Sequence, residues 1–143
     1  MGKVEKIWIK RFKRGPMDAV TSAELLENEG VKNSADQKGK RQITLIELEK
    51  WEWMTRQLKC DLDPSARRAN MMISGISLTE SRGKILNIGK CRIKVHGETR
   101  PCERMDEAQQ GLREVMKQNW NGGVYGVIVE GGTIKIGDTV NFI

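Results

Sequence analysis

The stretch from Val124 to Ile143 constrains the fold most. Three short runs, Val124 to Val129, Thr133 to Ile136 and Thr139 to Ile143, are separated by Glu130-Gly131-Gly132 and Gly137-Asp138. Runs of this length between glycine-rich turns read as strands, and the tightness of the turns predicts a β-meander. The start of the chain matches this end. Val4 to Phe12 reads as a strand, with Ile7 and Ile9 on one face and Trp8 on the other, stopped by Gly15-Pro16. A chain that opens and closes on strands must deal with exposed strand edges, and a small closed barrel does so by removing them.

The middle of the chain alternates between periods. Ser22 to Asn28 predicts a short helix capped by Ser22, and Lys32 to Lys40 a polar, mobile loop. Arg41 to Ile46 alternates as a strand with Ile43 and Leu45 inward. From Glu47 to Lys59 the apolar positions Leu48, Trp51, Thr55 and Leu58 step at helical spacing, with Trp53 off the stripe. Asp63-Pro64 caps a brief turn through Arg67, because proline suits the first helical position. Met71 to Ile73, Lys84 to Ile88 and Lys90 to Val95 predict further strands, the last two broken at Gly89. Met105, Ala108, Leu112, Val115 and Met116 follow a helical period that Gly111 divides and Asn121-Gly122-Gly123 ends. The expectation is therefore a mainly β domain spanning residues 1–143: a small closed barrel with two or three short helices attached.

Bulk properties exclude several classes. A hydrophobic content of 38% and a charged content of 31% describe a globular chain, and no apolar run reaches the length of a membrane span. No signal-peptide core follows Met1, and the three cysteines, Cys60, Cys91 and Cys102, form no CxxC pair or zinc spacing with the single His96. A reducing cytoplasm is the expected compartment. The net charge of +6 is spread over Lys10 to Arg14, Lys38 to Arg41 and Arg67-Arg68, which suits an anionic partner or plain solubility.

Two segments carry chemistry. Cys102, in Arg100-Pro101-Cys102-Glu103-Arg104-Met105-Asp106, falls where a strand pattern gives way to a helical one. Pro101 holds Arg100 extended, so Cys102 belongs to a loop or a first helical turn. Arginines and a helix start beside it favour thiolate, the form that attacks sulfur and binds soft metals. The same context equally suits a partly buried, inert thiol. The second segment is Arg67-Arg68-Ala69-Asn70 before the Met71 strand, followed by Ser74-Gly75. Arginine forks there suit phosphate or carboxylate, and Asn70 and Ser74 fall on one strand face. No GxSxG elbow, P-loop or HExxH is present, and His96 reads as structural.

Taken together and in order, these pieces resemble a stand-alone MOSC domain, the module named for the C-terminal part of molybdenum-cofactor sulfurases. The residues that carry the resemblance are Arg41 to Ile46, Arg67-Arg68-Ala69-Asn70, Ser74-Gly75-Ile76, Ile88-Gly89, Arg100 to Asp106, Gly111-Leu112 and Gly131 to Asp138. Two departures stand out. Gly30 to Asp36 lacks the second glycine of a Gly-x-x-Gly-Asp segment, and Ala69 separates Arg68 from Asn70.

The resemblance implies a barrel of the pyruvate-kinase small-domain type and makes Cys102 the functional cysteine. It would either carry sulfur as a persulfide or ligate molybdenum in a bound pterin cofactor. The resemblance assigns the anionic pterin, or another acidic ligand, to Arg67, Arg68, Asn70, Ser74 and Gly75; Arg100 and Arg104 would stabilise anionic sulfur. It further implies a separate sulfur donor, such as a cysteine desulfurase, or a reductase, as partner. The competing expectation is a non-catalytic basic barrel that binds nucleic acid or a protein. Nucleic acid is disfavoured because few aromatic rings are available for stacking and Trp51 is committed to the core.

Overall fold

The computed structural model describes every residue from 1 to 143 except 36 and 38. Among the described residues, eleven strands and three short helices follow in chain order as β1 (Gly2–Lys10), β2 (Met17–Val20), β3 (Ser22–Leu26), β4 (Gly30–Val31), β5 (Ile43–Glu47), α1 (Leu48–Gln57), β6 (Met71–Ser74), β7 (Ile85–Ile88), β8 (Cys91–Glu98), α2 (Arg104–Ala108), α3 (Leu112–Met116), β9 (Val124–Glu130), β10 (Gly132–Lys135) and β11 (Thr139–Phe142). A 3-10 turn, Pro64–Arg67, precedes β6.

Eight strands form one sheet in the order β11-β7-β8-β9-β5-β6-β1-β2, and β11 pairs back onto β1. That pairing closes a seven-stranded barrel, with β2 as a flap outside the ring. Strand β1 serves both partners along one edge: Gly2 and Lys3 face Val140 and Thr139 of β11, while Ile7 to Lys10 face β2. A register shift between Val4 and Lys6, where β1 pairs with β6, bends the strand. The one parallel pairing in the ring joins β5 to β6, with Leu45 opposite Met71. Parallel neighbours need a crossover, and α1 with the 3-10 turn supplies it.

Alternation along the strands divides the apolar residues between two cores. Ile43, Leu45, Met71, Ile73, Ile93, Val95 and Val140 fill the barrel. Ile46 and Met72 point the other way and pack with Trp8, Trp51, Met54, Met105, Leu112 and Met116 beneath the helices. Strands β5 and β6 are thus buried on both faces, so Met71-Met72-Ile73 reads as an unbroken apolar run.

Two expectations about local structure are corrected. Ser22 to Leu26 is strand β3, not a helix. Ala23 and Leu25 are buried between exposed Ser22 and Glu24, a period-two pattern, and the strand pairs with β10, over a hundred residues away. That long-range pairing overrides a weak local helix signal. The C-terminal strands are also no meander. β9 pairs with β8 and β5, β10 with β3, and β11 with β7 and β1. The turns are where glycines put them, but each strand leaves its neighbour for another sheet edge.

Gly122-Gly123 sits at the entry to β9, where the loop after α3 crosses the barrel rim. Gly123 has φ +91°, and a Cβ there would collide with the Leu45 carbonyl oxygen. Replacing Gly123 by Ala should therefore lower stability by about 1–3 kcal/mol through backbone strain alone. Thermal or denaturant unfolding measures it, and an unchanged midpoint would contradict the left-handed backbone at Gly123.

Candidate functional site

The site is built around one buried cation. Arg67 ends the 3-10 turn, which Asp63 caps by accepting the Ser65 backbone N–H at 3.0 Å. Its side chain runs inward and is only 8% exposed. The Nε donates to the Gly122 carbonyl at 3.0 Å and Nη2 to the Thr99 carbonyl at 3.0 Å, while Nη1 lies 3.9 Å from the Met105 sulfur. Thr99 also donates its own N–H to the Gly123 carbonyl at 2.8 Å. Arg67 therefore ties the linker after β8 to the loop before β9, and Cys102 is three residues beyond Thr99 on that linker.

Cys102 is exposed and lies immediately before Glu103, the N-cap of α2. Its carbonyl accepts the Met105 N–H at 3.0 Å, which fixes the turn. The electrostatics of Arg67 connect the sulfur to the rest of the site. Burial lowers the Arg67 guanidinium to about 10, the like charge of Arg41 adds to that, and the Cys102 sulfur opposes it. At neutral pH Arg67 stays charged. The other thiols differ: Cys91 is buried in the barrel, where desolvation and then Asp138 and Glu130 push its thiol up, and Cys60 is half-buried.

Beside Arg67 opens a basin of about 310 Å3 lined by Lys10, Gln37, Arg41, Thr44, Arg68 and Asn70. Arg68 reaches it because its backbone is left-handed, with φ 63° and ψ 35°, so that consecutive arginines diverge. A non-glycine residue in this region is strained by roughly 1–2 kcal/mol. A chamber of about 20 Å3, large enough for one water, continues inward from the basin and is shared by Arg41, Thr44, Arg67, Arg68, Thr99 and Gly122. Asn70 acts as a pin: its Oδ1 accepts from the Thr44 N–H at 3.0 Å and its Nδ2 donates to the Ser34 hydroxyl at 3.3 Å.

The predicted site residues thus separate into three places. Arg68 and Asn70 line the basin and Arg67 the small chamber beside it, with Cys102 on the linker that Arg67 holds at Thr99. Ser74 and Gly75 sit at the other end of β6, where the Ser74 hydroxyl donates to Glu5 at 2.5 Å and the Gly75 N–H donates to Glu49 at 2.7 Å. They do not line the basin. Arg100 and Arg104 flank Cys102 and are exposed; Arg100 lines a different cavity. His96 lines yet another with Lys40 and Lys94, and burial and then those cations hold its imidazole below the usual histidine value. In the Gly30 to Asp36 stretch, Asp36 lies outside the described residues. Lys10 and Arg41 are basin residues that sequence reasoning placed in strands and basic clusters but not among the site candidates.

The comparisons with known proteins agree with this architecture. The MOSC domain family model matches residues 21–141, and the chain belongs to that family. It is similar in structure to the YuaD protein from Bacillus subtilis, with a TM-score of 0.81 and 17% identity over 99% of this chain and 96% of that one. It is also similar to YiiM from Geobacillus stearothermophilus (TM-score 0.77, 16% identity, 100% of this chain and 75% of that one). YiiM from Escherichia coli gives a TM-score of 0.74 at 15% identity, over 99% of this chain and 69% of that one. Identities this low speak to the fold alone. No curated protein matches the sequence. Among the described residues, no helix is long and apolar enough to cross a membrane, and no group of three or more His, Cys, Asp or Glu side chains is placed to hold a metal ion.

Replacing Arg67 by Met should cost about 2–5 kcal/mol, because the Thr99 and Gly122 carbonyls lose their donors inside the fold. Chemical denaturation measures this. A change below 1 kcal/mol would mean that the two loops hold their places without the guanidinium.

Proposed function

We propose that this MOSC domain acts through the Cys102 sulfur as a carrier of sulfane sulfur, with the adjacent basin receiving the anionic acceptor. The observation that carries the reading is an exposed cysteine three residues beyond Thr99, whose carbonyl buried Arg67 holds, beside a chamber that Arg67 shares with Arg41, Thr44 and Arg68 of the basin. In the loading step the Cys102 thiolate attacks the outer sulfur of a donor persulfide. The donor's S–S bond breaks, the donor leaves as thiolate, and Cys102 holds the transferred sulfur as a persulfide. Discharge is the same exchange run toward the acceptor. Sulfane sulfur comes from a separate donor, a cysteine desulfurase by chemical class.

A second reading rests on the donor set. With no multi-residue metal cluster among the described residues, a metal at Cys102 must bring most of its own ligands. A molybdenum–pterin cofactor does so, and the residues present fit it: Cys102 as the soft protein ligand, and Lys10, Arg41 and Arg68 as partners for its anionic groups. When bound, that cofactor supplies redox chemistry at the metal, for which a reductase would be the partner. The chain's own residues then orient the ligand and neutralise its charge.

Intact mass spectrometry after incubation with a cysteine desulfurase and cysteine tests the carrier reading. The expected result is a gain of ~32 Da per added sulfur on the wild-type chain and none on Cys102→Ser. Molybdenum co-purifying with the wild type and lost from Cys102→Ser selects the cofactor reading. Neither signal, or the same signal from the Cys102→Ser protein, contradicts both.

A further inference from the structure

A second cavity, of about 400 Å3, is lined by Glu98, Arg100, Pro101, Arg113 and Lys117 and shares no lining residue with the basin. Its volume is in the range of small-molecule sites. Arg113 lies on α3 and Lys117 is its C-cap, four residues on, so the two cations stand on one face of the helix. Arg100 faces them from the linker after β8, and Pro101 gives the cavity an apolar wall.

The cations in this cavity are poorly answered by the protein. Glu98 is the one carboxylate among the lining residues. Arg100 has no hydrogen bond or ion pair with the described residues, and Lys117 meets Glu114 only at 3.8 Å, both half-exposed or more. The Arg113 backbone N–H is used by Asp106 at 3.0 Å, but its side-chain Nε is withdrawn from solvent without an acceptor among the described residues. Shielding such a donor from water is unfavourable, and like charges at i, i+4 repel. Arg100 and Lys117 also reach water, whereas the Arg113 Nε does not. An arginine with a shielded, unanswered N–H at a cavity wall is arranged for an acceptor that comes from outside.

We infer that this cavity is a binding site for a small oxyanion-bearing molecule, a phosphate ester or a dicarboxylate, held by Arg100, Arg113 and Lys117. Guanidinium forks match both groups. The site is distinct from the Cys102 chemistry, since the ligand is gripped by nitrogen donors and needs no sulfur. Its wall, Pro101, is bonded directly to Cys102, so an occupant stiffens the segment that presents the thiol.

The test is an NMR titration of the full chain, observing arginine Nε–H resonances, with inorganic pyrophosphate in one arm and glutarate in the other at constant ionic strength. A saturable shift of the Arg113 Nε–H is expected in at least one arm, and the responding arm identifies the ligand class. The Arg113→Gln/Lys117→Gln double variant, followed at the Arg100 Nε–H, should bind about tenfold more weakly or worse. Arg100→Gln, on the other wall, gives the same loss if the helix variant does not fold. Arg41→Gln and Cys102→Ser should bind as the wild type does, which separates this site from the sulfur or cofactor reading. No saturable shift in either arm, or binding lost in Arg41→Gln and kept in the helix variant, would overturn the inference.

Discussion

The buried Arg67 guanidinium is the interaction on which the functional end of this molecule depends. A full charge in a barrel wall is costly unless every donor finds an acceptor. Here the acceptors are two backbone carbonyls from loops that the main-chain hydrogen bond from Thr99 N–H to Gly123 also joins. The strain and close packing nearby follow from this. Gly122 and Gly123 allow the loop to come within reach, and the left-handed Arg68 sends the next side chain outward into the basin.

That arrangement explains how one Arg-Arg pair can serve two purposes. Arg67 is consumed by the fold and contributes its charge from within, while Arg68 joins Arg41 and Lys10 on the basin wall. The Arg67 charge thus lies inside the fold, behind the linker that carries Cys102. Surface charges are screened over about 10 Å at moderate salt, whereas a buried charge is screened much less. A sulfur site that relies on Arg67 should keep its character where one relying on exposed Arg100 and Arg104 would not.

Much of the fold was legible in the sequence because the inward residues of barrel strands recur at every second position. Ile43 and Leu45, or Ile93 and Val95, announce an inward face whatever their partners. What failed was whatever depends on pairing across the chain. Ser22 to Leu26 carries a helix-like cap and only two inward residues, so nothing local reveals that β10 lies beside it. The placement of the candidates was legible where it follows from local pattern: Cys102 does lie just before a helix, and Arg68 and Asn70 do sit ahead of β6, on the basin wall. Ser74 and Gly75 looked equivalent to Asn70 on strand periodicity, yet a four-residue strand is long enough to carry them to the other rim. Lys10 and Arg41 could not be singled out, because a basic cluster does not say which of its members faces a cavity.

The central claim is that Arg67 holds the linker that carries Cys102 and places a cation behind it. The direct measurement is the alkylation rate of Cys102 at fixed neutral pH, followed by peptide mass spectrometry with Cys60 in the same chain as internal reference. Wild type, Arg67→Lys and Arg67→Met would be compared under conditions where each is folded. The account predicts that Cys102 slows relative to Cys60 in Arg67→Met and that Arg67→Lys, which keeps the charge, recovers part of the loss. Equal Cys102-to-Cys60 ratios in all three proteins would contradict it.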